Sequence, residues 1–247
     1  MIRVENLWKS FGGQQVLRGV DLQVNSGEFV ALVGLSGSGK SLLLRHLVRL
    51  MHPDQGRVLV DGHDVAKMPR EELEALRSRI GYVFQSGALF DSETVFDNVA
   101  FPLREKTRWN ETKIRHKVLE QLDLVGLKDA GEKYPAQLSG GMLKRVALAR
   151  TLVRAPKIIL FDEPTTGLDP IVVNSILSLF DSVHKKLDLT GILVSHEIPE
   201  IFGIVQKVAM LYEGKIVAVE TPETILTAQN PVFDQFVNGK PDGPIDY

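Results

Sequence analysis

The sequence predicts an α/β protein in which antiparallel strands open the chain and a block of helices interrupts a set of buried strands. Three observations predict it. Continuous apolar runs at 29–33, 158–161 and 192–194 have the length of strands covered on both faces. The first run ends on a glycine and passes through a glycine-rich turn into a helical stretch. Between about 86 and 154 the apolar spacing turns helical.

Taken in order, Ile2-Val4, Val16-Leu17 and Val20-Leu22-Val24 read as short antiparallel strands. Phe29-Val30-Ala31-Leu32-Val33 reads as a central strand, with a helix from Ser41 to Leu50 after the turn. Val58-Leu59-Val60 leads into an Asp61-Gly62 turn, and Ile80 to Phe84 is a further strand. Ile114, Val118, Leu119, Leu122 and Val125 fall at helical spacing, and Leu143 to Val153 forms another helix. Ile171, Ile176, Leu179, Phe180 and Val183 mark a helix between two strands, and residues 208–219 form a closing hairpin around Glu213-Gly214. The 247 residues therefore divide into a core of 1–85 and 155–247 and a helical insertion of 86–154.

Composition narrows the function classes. The chain is 44% hydrophobic and 24% charged, which suits one α/β domain with a full core. A net charge of -2 provides no global field that would draw it onto nucleic acid, so no nucleic-acid partner is expected. Lys144, Arg145, Arg150 and Arg154 cluster locally and read as a solvated helix face. The lack of cysteine removes disulfides, thiolate metal sites and a cysteine nucleophile. The opening Met1-Ile2-Arg3-Val4-Glu5-Asn6 has no apolar signal core, and no apolar run approaches the ~18 residues of a membrane span. Work at a membrane would need a span from another chain.

Gly34-Leu35-Ser36-Gly37-Ser38-Gly39-Lys40-Ser41 matches G-x-x-x-x-G-K-[ST] between a strand and a helix. Such a loop turns its backbone N–H groups inward at a helix N-terminus, where phosphate oxygens sit. Lys40 would neutralise the β- and γ-phosphates of ATP, and Ser41 would offer its hydroxyl oxygen to Mg²⁺. Lys157 to Phe161 is a second apolar run, and it ends in Asp162-Glu163. Unpaired carboxylates are costly in a buried strand, so these two should face a cation or solvent. A parallel strand beside the phosphate loop would bring Asp162 to the Mg²⁺ and Glu163 to an attacking water.

Leu138-Ser139-Gly140-Gly141-Met142 opens a helix and forms a second anion-binding start. One phosphate loop does not need two such sites within one chain, but a head-to-tail homodimer does. In this, nearly the whole chain resembles the ABC ATPases, with further motifs in that family's order. The resemblance implies a P-loop NTPase (RecA-like) core with an N-terminal antiparallel β subdomain and an inserted α-helical subdomain. It implies that Gln85 contacts Mg²⁺ and the membrane partner, that Asp169 of Gly167-Leu168-Asp169 lies at the dimer interface, and that His196 senses the γ-phosphate. Phe11 looks like the aromatic that stacks on adenine, with Trp8 as the alternative. The catalytic set so implied is Lys40, Glu163 and His196.

One position departs from the family pattern: Met142 stands where glutamine is usual, and methionine cannot make an amide's hydrogen bonds. Leu-Ser-Gly-Gly-Met resembles the Mla-type branch, whose transporters work with MCE proteins on phospholipids. The segment from Phe84 to Glu105 and the tail around Phe236-Val237-Asn238-Gly239 and Asp242-Gly243-Pro244 resemble the same branch. The implied partners are an integral membrane permease, an MCE-type lipid-binding protein and a small cytosolic accessory subunit. The implied place is the cytoplasmic side of a bacterial inner membrane, bound peripherally. Phe90, Phe96 and Phe101 follow Gln85; most of them are expected to fill the helical block's own core, with one or two reaching a permease helix.

Overall fold

The computed structural model describes residues 1–196, 198–225, 227 and 230–245. In chain order its elements are β1 (Ile2–Phe11), β2 (Gln14–Val24), β3 (Phe29–Val33), α1 (Lys40–Leu47), β4 (Gln55–Val60), β5 (His63–Asp64), α2 (Arg70–Arg79), β6 (Ile80–Val83), α3 (Val95–Lys106), α4 (Glu111–Leu124), α5 (Gly140–Leu152), β7 (Ile158–Asp162), α6 (Pro170–Leu187), β8 (Thr190–Val194), β9 (Lys207–Tyr212), β10 (Lys215–Glu220), α7 (Pro222–Ile225) and α8 (Pro231–Asn238). Two sheets organise them: an antiparallel one in the order β2-β1-β4-β5, and a mixed one in the order β10-β9-β3-β8-β7-β6. In the mixed sheet only β10 runs against its neighbour. This is the expected α/β class, with the antiparallel strands first and the helices α3 to α5 inserted before β7.

The continuous apolar strands are explained by two cores, one on each face of the mixed sheet. Phe29, Ala31 and Val33 of β3 face the helices, while Val30 and Leu32 face the antiparallel sheet and α1. The same alternation sends Ile159 and Phe161 of β7 one way and Ile158 and Leu160 the other. A strand covered on both faces needs no polar side, hence the unbroken runs. Phe161 stacks on Phe180 of α6 at 4.2 Å between ring centroids and lies 5.9 Å from Phe29. That aromatic chain ties β3, β7 and α6 together.

The opening strands are longer than expected. Asn6 sits at a left-handed φ of 46° beside a register shift between Val4 and Leu7, which moves the buried side from even to odd positions. A period-2 reading stops at such a bulge. The stretch from 86 to 94 is not helical: the first helix of the insertion begins at Val95, where the Thr94 hydroxyl accepts from Asp97 N at 3.1 Å. Asn110 caps α4 and Ser139 caps α5 in the same way.

Three helices were not foreseen: α2 buries only Leu73 and Leu76, too few to show a period, α7 spans only Pro222–Ile225, and α8 is anchored by Asn230, Pro231 and the buried Phe233. The basic residues of α5 are also not a solvated face. Lys144 is 9% exposed, and Arg145 donates to Val125 O at 2.7 Å and to Ser175 Oγ at 2.9 Å. Arg150 donates to Ala88 O at 2.5 Å. Among the described residues no helix is long and apolar enough to cross a membrane.

Candidate functional site

Four neighbouring strands of the mixed sheet end on one edge, and each delivers part of the site. The loop Gly34–Ser41 follows β3, His196 follows β8, Asp162 and Glu163 close β7, and Gln85 follows β6. Carboxyl ends of parallel strands are where open α/β sheets bind ligands. β7 runs parallel in the sheet, and β8 lies between it and β3. Asp162 nevertheless reaches the loop, because its Oδ1 accepts from the Ser41 hydroxyl at 2.5 Å.

The loop is shaped for a phosphate chain. At Gly34 a Cβ would stand 2.2 Å from the Leu211 carbonyl oxygen, so only glycine lets the chain turn off β3 against β9. Gly39 precedes α1 at a φ of 102° and supplies no side-chain cap, which leaves the first amides of the helix to a ligand. Ser38 Oγ is buried without a hydrogen-bond partner, an orphan that a bound oxygen anion would satisfy. Lys40 Nζ donates at 2.8 Å to both Gly34 O and Leu35 O and so lies across the loop. Burial pushes its ammonium below the usual lysine range, and the charges of Glu163 and Asp162 push back.

A second group converges on Glu163. Its Oε2 accepts from Thr166 Oγ1 at 3.2 Å and from Gln85 Nε2 at 3.4 Å, and lies 3.8 Å from His196 Nδ1. Glu163 itself adopts a left-handed φ of 48°, which swings the carboxylate off the strand. A backbone held in that region at a site edge is a reservoir of strain. Tyr82 of β6 supports the arrangement from behind, its hydroxyl donating to Asp162 Oδ2 at 2.9 Å. Burial first, and the Asp162 charge second, push the Tyr82 phenol far above its usual range, so it stays a donor.

Ser41, Asp162 and Gln85 offer one hydroxyl, one carboxylate and one amide. Such a set fits a hard cation that keeps waters and phosphate oxygens, as Mg²⁺ does, better than an all-protein cage. Among the described residues no cluster of three His, Asp or Glu side chains could hold a metal by itself.

Other residues stand apart from this cluster. Ser139 caps α5, its hydroxyl accepting from Met142 N at 3.4 Å, and a Cβ at Gly140 or Gly141 would fall 2.9 Å from Leu168 or 2.7 Å from Val172. The Ser139–Gly141 turn is thus packed against the Leu168–Val172 corner, where Asp169 caps α6 and is exposed. Met142 packs against the helical-side core, an environment that suits a thioether. Phe11, at the end of β1, is 47% exposed with Lys9 Nζ 5.5 Å from its ring centroid. Trp8 is tied down: its indole donates to Asn6 Oδ1 at 2.8 Å and its ring packs on Gly19.

Of the three aromatics after Gln85, two face outward, within the one or two expected there, so the majority is not in the core. Phe90 and Phe101 are 39% and 40% exposed and meet edge to face at 4.8 Å, with the Arg150 guanidinium 4.6 Å from the first ring. Only Phe96 packs inward. Arg150, whose guanidinium lies over both rings, also lines a surface cavity of about 230 Å³ together with Phe84, Gly87 and Pro102. Sequence reasoning missed Tyr82 and Thr166: Tyr82 meets Asp162, 80 residues away, only through the sheet order, whereas Thr166 bonds Glu163 within one local turn that was not singled out.

Comparison with known proteins agrees with this geometry. A family model described as ABC transporter matches residues 17–166. The intermembrane phospholipid transport system ATP-binding protein MlaF of Haemophilus influenzae is 42% identical over 100% of this chain and 94% of its own length. The probable ribonucleotide transport ATP-binding protein mkl of Mycobacterium leprae is 41% identical over 99% of this chain and 70% of its own. Among solved structures, the dimeric post-hydrolysis ATP-binding cassette MJ0796, bound to ADP and phosphate, aligns with a TM-score of 0.81 at 33% identity, covering 90% of this chain and 99% of that one.

Proposed function

The chain belongs to the ABC transporter family of ATP-binding subunits, whose work is ATP hydrolysis coupled to transport, and from that premise we propose that two copies sandwich ATP head to tail beneath a membrane permease. The observation that carries the reading is the meeting of Lys40, Ser41, Asp162, Glu163, His196 and Gln85 at four adjacent strand ends. Lys40 and the amides of Gly34–Ser41 hold the triphosphate, and Phe11 stacks on the base. Ser41, Asp162 and Gln85 would hold Mg²⁺, which would supply charge neutralisation for the transferring phosphate. Glu163 orients or deprotonates the attacking water, steadied by Thr166 and Gln85. His196 stabilises the γ-phosphate from the neighbouring strand end. Ser139, Gly140, Gly141 and Asp169 of one copy close over the nucleotide of the other. Catalysis of this kind is positioning and electrostatics.

The cargo we assign is phospholipid, moved with an MCE-type partner at the cytoplasmic face of an inner membrane. The similarity to MlaF over nearly its whole length supports it, together with Met142 and the tail that closes the chain. The exposed Phe90–Phe101 rim is the surface we assign to the permease helix. Identifying the chains and lipids that co-purify with the complex tests the cargo; enrichment of nucleotides in place of phospholipid would overturn it. Glu163→Gln tests the chemistry. It should keep ATP binding, lower turnover by roughly 10²- to 10⁴-fold and trap a stable dimer. Near wild-type hydrolysis would remove Glu163 from its role.

A further inference from the structure

We propose that Lys144 is a positioning residue for ATP hydrolysis, its ammonium fastening the main chain at Gln85 to α5 so that Gln85 and Ser139 move as one body. The inference rests on the reading that Gln85 and Ser139 belong to the ATP site. Lys144 lies inside α5 and is 9% exposed, with Nζ donating to Gln85 O at 2.5 Å. Among the described residues it makes no ion pair within 4 Å, and burial alone pushes its ammonium below the usual lysine range. An ammonium has three N–H donors and is expensive to bury without a carboxylate. Gln85 is exposed, so water could satisfy its carbonyl. The bond therefore answers the need of the buried ammonium and not that of the carbonyl, and it fixes the distance between α5 and the main chain at Gln85.

Two further contacts repeat the pattern along one stripe of the same helix. Arg150 Nη1 donates to Ala88 O at 2.5 Å, and a Cβ at Gly87 would stand 3.3 Å from the Ala147 methyl. Residues 144, 147 and 150 are spaced by three and share a face, and they meet 85, 87 and 88 in order. Gly87 and Ala88 both take left-handed φ values, 77° and 49°, bending the segment to lie along the helix. The helix so gripped starts at the Ser139 cap. At the other end of the segment, the Gln85 amide is 3.4 Å from Glu163. A tilt of α5 thus carries the Gln85 amide toward or away from the catalytic carboxylate.

The test is a double-mutant cycle in the intact transporter complex, with Lys144→Met, Lys144→Arg, Gln85→Ala and the Lys144→Met/Gln85→Ala pair. Lys144→Met should lower kcat roughly 10-fold, the cost of a misplaced group, and leave KM for ATP within about 2-fold. Amide hydrogen exchange at 86–88 should rise, and Tm should hold because a buried charge has gone. Lys144→Arg, which still donates to a carbonyl, should recover kcat to within about 3-fold. In the Gln85→Ala background Lys144→Met should cost less than about 2-fold more, since the two act through one amide. If Gln85→Ala is impaired while Lys144→Met turns over normally, the fastening role is wrong and the site reading stands. If Gln85→Ala itself behaves as wild type, the site reading fails and takes this proposal with it. Additive losses, or a loss that follows Tm and is not recovered by arginine, would assign Lys144 to packing and overturn the proposal.

Discussion

Tyr82→Phe removes one oxygen atom from behind the candidate metal site. The Tyr82 hydroxyl donates to Asp162 Oδ2 at 2.9 Å while Ser41 donates to Oδ1 at 2.5 Å, so the carboxylate is held on both oxygens. Asp162 is buried, and the tyrosine ring would keep its place because it stacks on Phe84 at 4.3 Å. The perturbation is therefore one hydrogen bond to a charged acceptor, which is worth about 1.5–3 kcal/mol. Tyr82 is half-buried and water can enter, so the lower end, about 1.5 kcal/mol, is the expected cost. For a chain of this size that lowers Tm by roughly 3–6 °C. If the same energy is lost in the transition state, kcat/KM for ATP falls about 10-fold. Thermal melts of the chain and steady-state hydrolysis by the transporter complex read the two effects separately. An unchanged Tm with unchanged kcat/KM would mean that Ser41 alone positions Asp162, and the argument for a doubly held carboxylate would fail.

Two other perturbations reach different parts of the chain. Phe90→Asp places a carboxylate where Arg150 now lies 4.6 Å from the ring, on the exposed rim beside Phe101; nucleotide binding should persist while permease co-purification or transport is lost, and normal transport would rule out this rim as the docking surface. Asp97→Asn tests acid stability: the Thr94 hydroxyl and then Arg104 hold the Asp97 carboxyl below its ordinary value of 3.8. A depressed folded value means that this contribution is present above 3.8 and is lost as pH falls through the folded value. The stability gap between wild type and Asp97→Asn should be constant at neutral pH and shrink on the acid limb, whereas a gap independent of pH in melts across that limb would refute it.

Local signals made most of the fold legible. The unbroken run of β3 meant two covered faces, and Gly34 to Ser41 fixed both the turn and the helix after it, because only glycine fits against Leu211 O. Legibility ended where geometry depends on partners distant in sequence. The bulge at Asn6 hid the length of β1, and α2 has too few buried residues to show a period. The basic cluster on α5 misled for a sharper reason. Charge in a sequence reads as solvent exposure, but Lys144 and Arg150 spend their charge on main-chain carbonyls 59 and 62 residues away. The aromatics were read in part: one or two were expected at the surface, and two of the three, Phe90 and Phe101, lie there, while the buried Asn98 takes an interior position and bonds to Phe90 N at 2.8 Å and Phe90 O at 3.0 Å.

The placement of the two anion-binding starts bears on why one chain would need another. The polar side chains of the candidate site approach from one sheet edge: Lys40, Asp162, Glu163 and His196 come from the side of β3, β7 and β8. A triphosphate lying on that edge would keep its outer oxygens in water, where the attacking molecule could not be isolated. In the proposed function the Ser139–Gly141 turn covers such a surface, and within its own chain its neighbours are Leu168 and Val172. Next to it Ile171 is 85% exposed, an apolar side chain at the corner that Asp169 caps. An exposed isoleucine beside an uncommitted helix N-terminus suits contact with a second protein surface better than contact with solvent. In a head-to-tail pair the cover of each copy meets the open edge of the other, so both sites close in one motion. The segment from Gln85 to Ala88 is the only stretch in the described residues that bonds both to α5, which starts at the cover, and to Glu163 on the edge. Its far end leads to the exposed Phe90–Phe101 pair, so under the proposed function a force applied by a permease there would reach Glu163 and the Ser139–Gly141 turn together.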